Sequence, residues 1–223
     1  MKIREDCWYK DVCTYGQCVN CIRYAEMSYL MAHSDIPVNK QYPQELTADV
    51  DLVPYRQLAD IKSDIVGFVE RGQNLFICSK FTGNGKTSWA IKLMLKYFND
   101  IWAGNGFRVR GLFVRVPTLL LQLKNFSNPI SEEYKRNLLD ADLVVWDEIA
   151  SSQISNYDYN NLLMFLDYRI ADEKANIFTS NATTREELEK NVGSKIASRI
   201  WNTSTIIQFN GKDRRNGRTS NSI

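Results

Sequence analysis

A chain of 223 residues, 44% hydrophobic and 24% charged with only 11 Gly and 5 Pro, holds one full-sized domain plus a small appendage and is too apolar for wholesale disorder. No run of roughly 18 apolar residues occurs, which argues against a membrane-spanning helix. Residues 1–6 turn acidic where a secretory signal needs an apolar stretch, so a soluble, cytoplasmic protein is expected. The net charge of +2 names no partner, but residues 191–223 carry Lys195, Arg199, Lys212, Arg214, Arg215 and Arg218 against Asp213 alone. Such an end attracts phosphates or is simply a solvated tail.

Four of the five cysteines, Cys7, Cys13, Cys18 and Cys21, fall within fifteen residues. In a reducing compartment thiols this dense point to metal rather than disulfides, and four thiolates close a tetrahedral structural zinc site. Zinc would then supply the folding energy of a segment too short to bury a core. Cys18 and Cys21 have the spacing that lets both sulfurs reach one ion, whereas Cys7 and Cys13 are spaced more loosely; incidental or redox thiols are the alternative. His33 reads as a surface residue and Cys78, inside an apolar run, as a buried inert thiol.

Helical spacing of Ile22, Ala25, Tyr29 and Leu30 predicts a helix over residues 22–33. Pro37 and Pro43 then mark residues 34–51 as a linker. A second helix is expected over 55–71, ended by Gly72. Beyond it, strands at 74–79, 109–116, 142–146, 176–180 and 203–209 alternate with helices at 87–98, 118–126, 131–139, 160–171 and 184–190. Continuous apolar strands separated by helices imply a parallel sheet covered on both faces.

The first strand runs into Lys80-Phe81-Thr82-Gly83-Asn84-Gly85-Lys86-Thr87-Ser88 and then straight into a helix. A phosphate-binding loop needs this context, because glycines let backbone N–H groups turn inward and a helix N-terminus adds positive potential. Thr82, Gly83, Asn84, Gly85, Lys86, Thr87 and Ser88 would hold the nucleotide, Lys86 reaching the β- and γ-phosphates and Thr87 the Mg²⁺. Lysine at position 80, where the GxxxxGK[ST] pattern has glycine, departs from the motif.

Leu143-Val144-Val145-Trp146-Asp147-Glu148 ends a buried strand on two carboxylates. Asp147 would bind Mg²⁺ and Glu148 would orient and deprotonate a water, while Trp146 fills the core. Asn181 ends the next apolar strand. Ligands of parallel sheets sit at the strands' carboxyl ends, which places Asn181 beside those two acids, able to hold the γ-phosphate or the water.

The loop at 83–87, Val145-Trp146-Asp147-Glu148, Thr179-Ser180-Asn181, Ser198-Arg199-Ile200 and residues 209–215 together resemble the AAA+ helicase loaders of the DnaC/DnaI type, phage-encoded versions among them, and the related IstB-type transposition ATPases. The resemblance covers residues 51–215. It implies a three-layer α/β P-loop NTPase core without a C-terminal helical lid, preceded by a zinc-binding, partner-binding region at 1–50 and followed by a basic tail at 216–223. It further implies ATP hydrolysis at subunit interfaces, with Glu148, Lys86, Asn181 and Arg199 catalytic. Arg199 takes the part of the arginine finger that reaches a neighbour's γ-phosphate, with Lys195 second and a plain ion pair as the alternative. The implied task is loading a hexameric DnaB-family replicative helicase onto single-stranded DNA. A transposition helper and a helicase-capturing module with little turnover are the rivals. Related loaders contact DNA through the segment after the second core strand, here 117–128, where Lys124 and Phe126 offer a charge and a ring.

Overall fold

The computed structural model describes residues 5, 7–13, 21–41, 50–101, 106–125 and 130–211. Its centre is a five-stranded parallel sheet in the order β2-β3-β4-β1-β5, made of β1 (Asn74–Cys78), β2 (Gly111–Arg115), β3 (Leu143–Asp147), β4 (Ala175–Ser180) and β5 (Ser204–Gln208). Side chains of successive strand residues point to opposite faces, and the sequence satisfies both with apolar groups. Leu75, Ile77, Val145 and Ile177 face one layer, while Phe76, Cys78, Val144, Trp146 and Phe178 face the other.

On the first face lie α1 (Ile22–Ala32), α2 (Leu52–Ser63), α3 (Ile65–Glu70) and α4 (Lys86–Asp100). On the second lie α5 (Val116–Leu123), α6 (Glu132–Asp140), α7 (Asn156–Ala171), α8 (Arg185–Val192) and α9 (Ser194–Thr203). The α/β three-layer class expected from the alternation is what the chain adopts.

Several boundaries differ from those the periodicity predicts, for local reasons. The helix expected over 55–71 is two helices, broken at Asp64, whose φ of −120° and ψ of 41° leave the helical region. The helix expected from 160 begins a turn earlier, because Ser155 and Asp158 form a reciprocal capping box that the periodicity does not display. Helix α9 has no counterpart among the expected elements. Only Gly193, with φ of 81°, separates it from α8, so two short helices adjoin where no long loop announces a boundary.

The segment expected to be a linker is partly core. Ser34 is fully buried and its carbonyl accepts from the Phe113 amide at 2.7 Å, capping the outer edge of β2. Ile36, Met31, Leu30, Tyr9 and Cys7 are buried in the same apolar cluster as the sheet's first face. Residues of the N-terminal region therefore share a core with the sheet rather than packing by themselves.

A polar network closes the strands' amino ends. Arg169, fully buried, donates to the carbonyls of Leu138, Leu139, Ala141 and Ala175 and to Asn176 Oδ1, at 2.7–3.1 Å. Asn176 Oδ1 also accepts from the Trp146 indole at 3.0 Å, and its amide donates to Asn74 Oδ1 at 2.9 Å. Trp146 is thus core, with its N–H satisfied. Burial pulls the Arg169 guanidinium down to about 9, which still leaves it charged at neutral pH.

Candidate nucleotide-binding site

The site forms at the carboxyl ends of β1, β3 and β4, adjacent strands in the sheet. Residues 80–85 leave β1 as an irregular loop that delivers Lys86 as the first residue of α4. Gly83 and Gly85 take left-handed φ values of 68° and 104°, which a side chain would resist. The described non-glycine residues with positive φ are Asp35, Glu148 and Glu173, so Lys80 takes no left-handed backbone and its departure from the glycine pattern stores no strain there. Thr82, exposed at the loop's tip, and Ser88, in the first turn of α4, flank the rest.

Two buried side chains hold the loop. Asn84, with no exposed surface, donates to Ser79 Oγ at 2.5 Å and to the Gly211 carbonyl at 3.2 Å. Lys86 Nζ donates to the Phe81 carbonyl at 2.8 Å and lies 3.5 Å from Asn84 Oδ1. The ammonium is therefore folded under the loop whose backbone it would share with a phosphate.

The two motifs, sixty residues apart in sequence, meet directly. Thr87 Oγ1 donates to Asp147 Oδ1 at 2.8 Å, and Thr179 Oγ1 donates to the same oxygen at 2.7 Å. Asp147 is 5% exposed, so a hydroxyl and a carboxylate oxygen converge in a nearly dry recess. Hard oxygen donors in that arrangement suit Mg²⁺. Glu148, next in the chain, is exposed and held at φ of 61°; its amide donates to Thr179 Oγ1 at 3.1 Å and the following amide, of Ile149, to the Thr179 carbonyl at 3.0 Å. Asn181 follows β4 immediately and is exposed at the same sheet edge.

Thr179 belongs to one of the sequence motifs but carries no task on sequence grounds, although it orients both acids. The available signal is a hydroxyl in an otherwise apolar strand. Asp51, expected to end a linker, is fully buried, and its carboxylate accepts from the amides of Asn210 (2.7 Å) and Gly211 (3.1 Å). No local pattern signals a partnership spanning about 160 residues.

Other expected residues stand elsewhere. Arg199 lies on α9, where its Nη2 donates to Asp167 Oδ2 of α7 at 3.0 Å, its Nε to Asp167 Oδ1, and its Nη1 to the Lys195 carbonyl at 3.1 Å. The structure thus shows the ion pair that is the plainer alternative, within one chain. Lys195 itself is exposed. Lys124 Nζ donates to Asp158 at 2.6 Å, so its charge is answered inside the chain. Burial pushes the Cys78 thiol up to about 11, in keeping with an inert role.

Cys7 is buried, while Cys13 and Cys21 are half-buried. Among the described residues no cluster of three or more His, Cys, Asp or Glu could hold a metal ion, so the zinc expectation is not met there; Cys18 lies outside them. Phe126, the expected tail at 216–223 and the absence of a lid also fall outside the described residues. Among those described, no helix is long and apolar enough to cross a membrane.

A parallel 2-3-4-1-5 sheet with a glycine-lysine-threonine loop after β1, facing an aspartate at the end of the next-but-one strand, β3, defines a P-loop nucleotide-binding protein. Residues 21–222 match the family of IstB-like ATP binding proteins, and the chain belongs to that family as a P-loop ATPase. Among solved structures it is similar to DnaI (20% identity, TM-score 0.65, covering 85% of this chain and 99% of that one). It is also similar to the DnaC helicase loader (17%, 0.59, 82% and 98%) and to AMPPCP-bound DnaA from Aquifex aeolicus (13%, 0.57, 76% and 50%). No curated protein matches it in sequence.

Proposed function

We propose that this chain is a cytoplasmic, ATP-dependent loader that places a hexameric replicative helicase of the DnaB family on single-stranded DNA. The observation that carries this reading is the likeness to DnaI and the DnaC helicase loader over nearly their whole lengths, joined to a nucleotide site whose two motifs meet at Thr87 and Asp147. The core would span 51–215, with residues 1–50 as the partner-binding region.

Thr87 and Asp147 would hold Mg²⁺, which when bound would supply positive charge to offset that developing on the phosphates. The loop amides of 82–88 with Lys86 would cradle the phosphates. Glu148 accepts a proton from the attacking water, in a position set by Thr179. Asn181 steadies the γ-phosphate or that water. Arg199 of a neighbouring copy completes the site by leaving Asp167 for the γ-phosphate. The Arg199–Asp167 pair is half-exposed and so worth little in itself, which keeps that exchange cheap. Sharing the site between copies makes assembly depend on nucleotide.

DNA would pass along α5, which borders a cleft of about 790 Å³ lined by Arg115, Thr118, Gln122, Asn125, Ser131 and Tyr134. The cysteines would bind a structural zinc.

Family membership also favours a second reading, in which the chain assists a transposase on duplex DNA. Capture of a purified hexameric helicase with Mg-ATP, followed by its transfer to single-stranded DNA, tests the choice. Transfer that requires Glu148 and Arg199 supports loading. Tight ATP-dependent binding to duplex DNA with no capture of helicase would overturn it.

A further inference from the structure

Asp51 precedes α2, where an aspartate ordinarily caps its own helix. Here it makes no side-chain cap. Its buried carboxylate turns instead to the backbone beyond β5, accepting from Asn210 N at 2.7 Å and from Gly211 N at 3.1 and 3.3 Å. Burying a carboxylate is unfavourable unless such bonds are made, and charge-assisted bonds to amides are about twice as strong as neutral ones. The Phe209–Gly211 backbone is therefore fixed from one side by Asp51 and from the other by the Phe209 amide, which donates to the Cys78 carbonyl at 2.9 Å.

Gly211 passes this constraint on. Its carbonyl accepts from Asn84, the residue between Gly83 and Gly85. Two flanking glycines leave the backbone there little torsional preference of its own. Asn84's side chain, anchored on Ser79 and Gly211, supplies what the glycines lack, and its Oδ1 faces the Lys86 ammonium.

We propose that Asp51 is a positioning residue for the nucleotide loop, acting through Gly211 and Asn84 on the place where Lys86 meets phosphate. The inference rests on the reading of this loop as the ATP site. It ties the start of the core to the loop through Asp51, a residue that none of the sequence motifs includes.

The test compares full-length Asp51→Ala and Asp51→Asn with the parent for Mg-ATP affinity by calorimetry, KM and kcat by phosphate release, and thermal midpoint. Losing a charge-assisted bond predicts a Kd about tenfold higher for Asp51→Ala, with KM rising in parallel. kcat at saturation should stay within about twofold, as expected when ground-state and transition-state binding fall together. Asp51→Asn, which keeps one acceptor oxygen, should fall between. Combined with Asn84→Ala, the Asp51 substitution should add almost nothing to the loss. A lowered midpoint with the parent's Kd, or additive losses in the double variant, overturns the inference while leaving the ATP site standing. A parent chain that binds no Mg-ATP overturns both. If Asp51→Ala fails to fold, the cycle of Asp51→Asn with Asn84→Ala decides in its place: coupled losses in Kd support the inference and additive ones overturn it.

Discussion

Replacing Thr179 by valine keeps the shape of a side chain that is 1% exposed and removes only its hydroxyl. That hydroxyl donates to Asp147 at 2.7 Å and accepts from the Glu148 amide at 3.1 Å. The first is a bond to a carboxylate, worth about 1.5–3 kcal/mol, and the second about 1 kcal/mol. Water can reach the partly buried amide of Glu148, so the expected loss is about 2–3 kcal/mol. For a chain of this size that lowers the thermal midpoint by about 5–10 °C.

The catalytic effect should be larger than the loss of stability suggests. Glu148 occupies a left-handed conformation at φ of 61°, a state costing about 1–3 kcal/mol that surrounding bonds must impose. Without Thr179 the carboxylate relaxes, and a displacement of about 1 Å at a reacting group costs on the order of 10²-fold in rate. Phosphate release under saturating ATP, measured well below the midpoint, should fall by about 30- to 100-fold while ATP affinity changes little. Thr179→Ser, which restores the hydroxyl, should recover most of the rate. A valine variant that turns over ATP at the parent's rate would refute the assignment of Glu148's geometry to Thr179.

Glu148→Gln should retain ATP binding and lose hydrolysis, seen as calorimetric uptake without phosphate release; undiminished turnover would remove Glu148 from its role. Arg169→Met strands the carbonyls of Leu138, Leu139, Ala141 and Ala175 and should cost about 3–5 kcal/mol in urea denaturation; an unchanged midpoint would contradict the network. Asp142 is pushed up by burial, but hydrogen bonds from Arg110 and Tyr97, helped by the charges of Arg110 and Arg108, bring its carboxyl below the usual range. Its stabilising share is therefore complete above about pH 4 and disappears as pH falls through the lowered folded-state value. The stability gap between parent and Asp142→Asn should close on acidification, and a gap constant from about pH 7 to pH 2.5 would count against this. Serine at Cys7, Cys13, Cys18 and Cys21 should abolish bound zinc, measured by atomic emission, and lower the midpoint; an equally stable parent purified free of zinc would dismiss the metal.

The apolar strands and the phosphate loop are legible in the sequence because their signals are local: four buried runs with a fifth, more exposed one at the sheet's edge, and a glycine-lysine-threonine stretch between strand and helix. The pairing of Thr87 with Asp147 follows from motif chemistry once the sheet is parallel. Helix α9 is hidden because Ser194 follows α8 almost directly, with no cluster of turn residues between. Thr179 and Asp51 are hidden for a different reason, since their partners are fixed by strand order and chain return and not by neighbours in sequence. Arg199 is reached by resemblance; its attachment to Asp167 depends on how α7 and α9 lie together, which periodicity does not report.

Because the Ser34 carbonyl takes the Phe113 amide on the free side of β2, and Cys7, Met31 and Ile36 are sunk in the sheet's own core, the described part of the polypeptide's front is not a detachable handle. Beginning the chain at Asp51 would strip a strand margin bare, inviting edge-to-edge aggregation. Any protein that grips the front also gains leverage on β2, whose last residue, Arg115, lies in register with Asp147.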